Sequence, residues 1–326
     1  MRTQIYRPTP VNLHRMACAL RRGDLVGVPS ETVYGLAADA LNPDACAKIF
    51  TAKERPANDP LIIHVHQIAQ AKQLAFWNQA AARLADKYWP GPLTLVLPKR
   101  EIVPNIVTAG LDSVALRMPQ HPVFRALLET ANLPLAAPSA NPFGYISPTT
   151  SDHVKTSLKN RIAYILEGGA CRIGLESTIV DLRSPAHPQI LRPGAITLRD
   201  IQAMLTGTSA VHSQDPGEGP ALSPGLLKRH YSPNTAIELA EEISSAQVTS
   251  NQVFVFYQRI PPRFKTAKFT YVLTPDGTGL SAANRLFALL RKLDAQGLDK
   301  IHLQLAPSSE PLAEALNDRM RRAAAR

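Results

Sequence analysis

Leu25-Val26-Gly27-Val28-Pro29-Ser30-Glu31-Thr32-Val33-Tyr34-Gly35 decides the class of fold. A short apolar run reads as a strand, and a proline, three polar residues and a glycine then turn it into a loop. α/β proteins place binding groups at such strand ends. Upstream, Leu13, Met16, Ala17 and Leu20 fall at helical spacing, so residues 11–22 read as an amphipathic helix closed by Gly23-Asp24. Downstream, residues 44–53 read as a helix and 60–65 as a buried strand. Further strands are expected at 93–97, 113–118, 135–137, 162–166, 178–182 and 189–191, with helices near 78–88, 122–131 and 151–158. Thr197 and Asp200 have capping-box spacing and start another helix. This alternation predicts an α/β domain over residues 1–206, built on a twisted mixed sheet with flanking helices.

Residues 207–234 change to turn chemistry and read as a linker. Lys228, Arg229, His230 and Tyr231 crowd its end, which suits a lid over a site. Residues 235–326 read as a small Rossmann-like α/β domain. Strands are expected at 253–257, 269–273 and 300–305. One helix is capped by Ser281 and carries Leu286, Leu289, Leu290 and Leu293 on one face, and a last helix spans about 310–322.

The chain carries 36 basic and 26 acidic residues, a formal charge of +10, which favours anionic partners such as nucleotides or RNA. The only dense basic cluster, Arg319, Arg321, Arg322 and Arg326, reads as a solvated helix end. Cys18, Cys46 and Cys171 are widely spaced, so neither a disulfide framework nor a cysteine zinc site is expected, and a reducing cytoplasm fits. No signal-peptide core and no apolar run of membrane length is seen. P-loop, dinucleotide, nucleophile-elbow and HExxH motifs are absent. His64 and His66 share one face of a predicted strand, a pair read as structural rather than as metal ligands.

What remains is a set of cations, hydroxyls and amides at strand and helix ends. Lys53-Glu-Arg-Pro56 follows a helix, Arg117 ends a strand, and Ala137-Pro-Ser-Ala-Asn141 and Ser147 follow another strand. Glu176-Ser-Thr178 opens a further strand and Arg192-Pro-Gly194 closes the next. Such groups bind anions and stabilise charge rather than attack, which suits nucleotidyl transfer.

Taken together, Pro29-Ser-Glu-Thr-Val-Tyr-Gly-Leu36, Lys53-x-Arg-Pro56, Pro60-Leu-Ile-Ile-His64, Leu116-Arg117, Ala137-Pro-Ser-Ala-Asn141, Glu176-Ser-Thr-Ile-Val-Asp181 and Leu191-Arg-Pro-Gly194 resemble the YrdC-like domain of threonylcarbamoyl-AMP synthases. Ser223-Pro-Gly225 and Arg229-His-Tyr-Ser-Pro233 resemble the linker of the two-domain form. The resemblance implies synthesis of L-threonylcarbamoyladenylate from L-threonine, bicarbonate or CO2, and ATP, with release of pyrophosphate. A separate threonylcarbamoyl transferase would then use the product to modify adenosine 37 of tRNA.

The resemblance also implies roles. Thr32, His64, Arg117, Ala137 and Ser177 would hold threonine or its carbamate. Lys53, Arg55, Asp59, Ser113, Ser139, Asn141, Ser147, Arg192 and Tyr231 would hold ATP. Lys53, Arg55 and Arg117 would carry the catalysis. Mg2+ would arrive on the ATP phosphates rather than on a protein metal site. Asp59 stands where the family often has asparagine. The competing readings are a double-stranded RNA or tRNA-binding module without turnover, and a carbamoyl-transfer enzyme of hydrogenase maturation. The second would carry Cys-x-x-Cys zinc segments, which this sequence lacks.

Overall fold

A computed structural model describes residues 2–205, 212–213, 230–243, 251–264 and 269–325. Most of the expected linker, including Lys228, Arg229 and the Ser223-Pro-Gly225 turn, lies outside these residues.

Among the described residues the first sheet has eleven strands: β1 (Gln4–Tyr6), β2 (Val26–Val28), β3 (Gly35–Asp39), β4 (Ile62–His64), β5 (Leu93–Pro98), β6 (Ser113–Arg117), β7 (Leu135–Ala136), β8 (Tyr164–Leu166), β9 (Thr178–Asp181), β10 (Gln189–Arg192) and β11 (His212–Ser213). Their spatial order is β1-β8-β2-β3-β7-β4-β6-β5-β9-β10-β11, with parallel and antiparallel neighbours, so the expected mixed sheet is present. Strands β1 and β3 were not expected from the sequence. β1 is half-exposed at an edge, and the Ala-rich β3 lacks the β-branched residues that mark a strand. The pair β11 falls inside the expected linker, where it adds in parallel to the open edge of β10.

Strand alternation divides the side chains between two faces. Ile63, Leu93, Leu95, Leu97, Val114, Leu116 and Val180 point into the larger core, against the helices Pro43–Lys53 and Gln79–Tyr88. On the opposite face, the helices Pro10–Arg21 and Pro122–Ala131 cover β2, β3 and β8 through Met16, Leu20, Phe124 and Leu128. Beyond them the same face carries Ile62, Val96, Ala115, Ile179 and Leu191, with the polar ends of their strands beside them.

A second, all-parallel sheet is formed by β12 (Ala236–Ala240), β13 (Gln252–Phe256), β14 (Thr270–Val272) and β15 (Lys300–Gln304), in the order β12-β15-β13-β14. Its helices are Gly279–Asp294 and Ala313–Ala324. The first is capped by Thr278, whose hydroxyl accepts from the Ser281 amide, and not by Ser281 as expected. Thr197 and Asp200 do form the expected capping box.

The two sheets share a core. Val33, Ile146, Ile173, Leu175 and Tyr231 pack with Ala283, Leu286 and Phe287. Gly174, at φ +81, brings its backbone against the first helix of the second domain, where a Cβ would lie 2.5 Å from Ala283 O. Asn284 Nδ2 donates to Cys171 O at 2.7 Å, and Arg291 Nε donates to Ser147 O at 3.2 Å.

Candidate active site

A pocket lies where the polar ends of β4, β6, β9 and β10 meet the loop after β2. Its lining includes Thr32, His64, Arg117, Ala137 and Ser177, all five expected on the threonine side. Arg55, Ser139, Arg192 and Tyr231 from the expected ATP side also line it. The free space is only about 50 Å³, smaller than the usual small-molecule site.

Strand register creates the first wall. β4 and β6 run parallel with His64 opposite Arg117, so both side chains emerge on the pocket face. Arg117 donates from Nη1 to Thr32 Oγ1 at 2.9 Å, from Nη2 to Glu31 Oε1 at 2.6 Å and from Nε to Gly91 O at 3.2 Å. A guanidinium has five donors, so one remains on each terminal nitrogen, enough for one carboxylate. Burial pushes the Glu31 carboxyl up, but the charge and hydrogen bond of Arg117 outweigh it and hold it below its ordinary value. Burial, reinforced by the Arg117 charge, lowers His64 from 6.5 to about 3. Its imidazole is therefore neutral at pH 7, with Nδ1 unpartnered and the Phe124 ring 5.2 Å away.

That shift has a sign for stability. Unfolded His64 takes up its proton near 6.5, whereas folded His64 does so only near 3. The contribution is complete above pH 6.5 and is lost as pH falls toward 3, at up to about 1.4 kcal/mol per pH unit. Urea midpoints at pH 7 and pH 5 should show this acid sensitivity. His64→Asn should remove one proton from the slope, and an unchanged slope would refute the assignment.

The opposite wall is cationic. The helix Pro43–Lys53 ends on Glu54 in the left-handed region, at φ 54, and this turn sends Arg55 inward. Arg55 donates to Asp59 O at 3.1 Å and Pro60 O at 2.7 Å, and its Nη2 pairs with Asp59 Oδ2 at 3.0 Å. Arg192 donates to Ser177 O and Ser177 Oγ, both at 3.1 Å, while Ser177 Oγ lies 2.7 Å from Thr94 Oγ1. Gly194 keeps this hairpin closed, since a Cβ there would sit 2.5 Å from Thr178 N. Tyr231 is fully buried at φ 62, a conformation that costs a non-glycine residue on the order of 1–3 kcal/mol. Its ring stacks on Phe287 at 5.3 Å, and its hydroxyl is an unpartnered donor at the pocket, with burial raising its pKa to about 12.

Five expected ATP residues stand behind this lining. Lys53 donates from Nζ to Ser139 O and to Asn141 O at 2.6 Å, so it braces the 139–141 loop instead of facing the pocket. Asn141 donates to Pro142 O and Tyr145 O, and Ser147 Oγ donates to Glu176 Oε1 at 2.6 Å. Ser113 is at the other end of β6 from Arg117, about 13 Å along the strand, opposite Pro98. Asp59 is buried beside Arg55, and burial raises its pKa despite the Arg55, Lys53 and Arg192 charges. Asp59→Asn keeps the shape and removes a carboxylate from beside the cationic wall. The KM for ATP should fall about threefold at low salt; a rise would show that Asp59 serves ATP.

Residues 18–194 match a family model described as telomere recombination, and residues 196–325 match one described as threonylcarbamoyl-AMP synthase, C-terminal domain. Threonylcarbamoyl-AMP synthase of Schizosaccharomyces pombe is 36% identical over a match covering 92% of this chain and 86% of the relative. The chain belongs to the threonylcarbamoyl-AMP synthase family. Its relative in Pyrococcus abyssi is 45% identical over 68% of this chain, a stretch that spans 66% of that relative, just under two thirds. The crystal structure of P. abyssi Sua5 complexed with L-threonine superposes with a TM-score of 0.89 at 37% identity, covering 99% of this chain and 98% of that one.

In this member of the synthase family, the lining also includes residues that sequence reasoning did not select, notably Ser30, Ile62, Phe124, Glu176 and His230. Glu176 and His230 stood inside recognisable motifs, next to selected residues. Phe124 had no local signal, since it reaches the pocket from a helix distant in sequence. His64 and His66 do not share a strand face, because β4 ends at His64, and no cluster of metal-ligating residues exists among the described residues. The expected solvated basic tail is corrected at two of its residues, while Arg321 is exposed as expected and Arg326 lies outside the described residues. Arg319 is 0% exposed and Arg322 is buried, and both pair with Asp318.

Proposed function

We propose that this pocket makes L-threonylcarbamoyladenylate. The observation that carries the proposal is one pocket with two unlike walls. One wall has Arg117, neutral His64 and Thr32, suited to a carboxylate, a small side chain and an uncharged amine. The other has Arg55 and Arg192 with the Tyr231 hydroxyl, suited to phosphate oxygens.

Threonine's amine and bicarbonate first give a carbamate and water. A carbamate oxygen then attacks the α-phosphorus of ATP, the bond to the β-phosphate bridge breaks, and pyrophosphate leaves with the electron pair. Holding both reactants in line is worth up to about 7–11 kcal/mol, and the buried walls keep water from the labile carbamate. No enzyme nucleophile takes part: burial pushes the Cys171 thiol up to about 12, and the Ser177 hydroxyl contacts Thr94 and Arg192, not a base.

The carboxylates nearest the pocket, Glu31, Asp59 and Glu176, are each paired with an arginine. They do not fit a protein-held cation. Mg2+ belongs to the ATP phosphates in this reading, and no step is routed through it. The product would pass to a separate transferase acting on adenosine 37 of tRNA.

Incubation with ATP, threonine, bicarbonate and Mg2+ should release pyrophosphate and form the adenylate, each dependent on threonine. Salt-sensitive RNA binding with no threonine-dependent pyrophosphate would replace this reading with the RNA-binding module.

A further inference from the structure

Arg319 belongs to the second domain, yet it spends its guanidinium on the first. It lies on the helix Ala313–Ala324 and is 0% exposed. Nε donates to Glu176 Oε2 at 3.0 Å and Nη2 donates to Pro193 O at 2.9 Å. Nη1 donates to Asp318 Oδ2 at 2.6 Å, and the guanidinium carbon lies 5.4 Å from the centroid of the Tyr231 ring.

These partners bracket the phosphate wall. Glu176 immediately precedes Ser177, and Pro193 immediately follows Arg192. Ser177 and Arg192 are themselves joined across the antiparallel pair β9–β10. One side chain therefore ties both ends of the hairpin that carries the lining residues Glu176, Ser177 and Arg192, and it covers a fourth, Tyr231. Asp318 is shared with Arg322 at 2.8 Å, which fixes the charge of Arg319 on its own helix.

We propose that Arg319 is a positioning residue for the ATP side of the site, supplied by the second domain. It holds Glu176 and the Arg192-Pro193 turn in place and neutralises Glu176 where phosphates would arrive. The proposal rests on the reaction inferred above. Two physical effects follow from losing it. Glu176, only 7% exposed, would keep the Ser147 hydrogen bond but lose its ion-pair partner, leaving an uncompensated charge at a phosphate-binding wall. The Pro193 carbonyl would also lose its donor, freeing the turn that aims Arg192. Ser177, expected on the threonine side, is bonded to Arg192 and moves with the phosphate wall; Arg117, His64 and Thr32 are held by other partners and should be spared.

A merely structural arginine would weaken both substrates alike, and this separates the two cases. The full-length chain is assayed as wild type, R319K, R319M and E176Q/R319M, with KM measured separately for ATP and threonine and Tm recorded for each. R319M should raise the KM for ATP by about 30-fold or more while the KM for threonine stays within about threefold. R319K should fall between, because an ammonium can pair with Glu176 but cannot reproduce the two-ended fork. Adding E176Q to R319M should recover about tenfold of the ATP effect by removing the bare carboxylate. If R319M fails to fold, R319K decides by the same ATP-against-threonine split. Equal changes in both KM values, or a wild-type KM for ATP in R319K and R319M, overturn the proposal. Threonine-dependent pyrophosphate release by the wild type is read independently, so its absence counts against the reaction and not against the positioning role of Arg319.

Discussion

Replacing Arg117 by alanine should abolish more than 99% of turnover, roughly a hundredfold or greater loss in kcat/KM, and should also lower stability by about 3–5 kcal/mol. Both effects have one origin. Arg117 is 4% exposed and is the only ion-pair partner of Glu31 found among the described residues. Removing it leaves a carboxylate buried without its counter-charge and leaves Thr32 Oγ1 without its donor. The stability and activity losses can be pulled apart. Arg117→Lys keeps a cation beside Glu31, so most of the stability should return. A single ammonium cannot serve Thr32, Glu31, Gly91 O and a substrate carboxylate together, so the KM for threonine should remain at least tenfold high. Thermal unfolding and threonine titration on the two variants check this. A wild-type threonine KM in Arg117→Lys would remove Arg117 from the threonine wall.

Lys53→Met should raise the KM for ATP by about a hundredfold and cost about 2–4 kcal/mol of stability. Lys53 is 1% exposed, and burial, helped by the Arg55 charge, lowers its pKa well below the ordinary value. Its ammonium is the donor to Ser139 O and Asn141 O, and methionine fills the same volume without donating. Two buried carbonyls then lose a partner, and the loop that brings Ser139 to the pocket is released. Because Lys53 acts through that loop, the loss should appear in ATP binding before it appears in threonine binding. A contact between Lys53 and the phosphates made only in the transition state would instead show as a fall in kcat with ATP binding preserved. Steady-state titration of each substrate, with Tm as the control, distinguishes the two.

The position of Lys53 shows how far residue type carries. A lysine and an arginine two apart at a helix end mark a positive spot in the sequence, and only Arg55 of the two lines the pocket. Which of them faces the pocket was set by Glu54, whose left-handed backbone separates the directions of its two neighbours. Ser113 shows the same limit. It shares a face of β6 with Arg117, as period-two alternation requires, yet four residues of extended chain put it at the other end of the strand.

The stretch Leu25–Gly35 and its companions did determine the class of the molecule. Apolar runs of strand length, helical spacings between them and polar strand ends are local facts, written in consecutive residues, and they specified a mixed α/β sheet with polar groups at its strand ends. Pairings between distant residues were decided only in three dimensions. The in-register meeting of His64 and Arg117 depends on β4 and β6 lying side by side. The burial of Arg319, which by sequence alone sits in a basic tail, depends on its helix docking against Glu176, 143 residues earlier. Burial is a property of everything that packs around a side chain. A charge that looks solvated in sequence becomes a structural tie once the fold removes water and supplies a carboxylate.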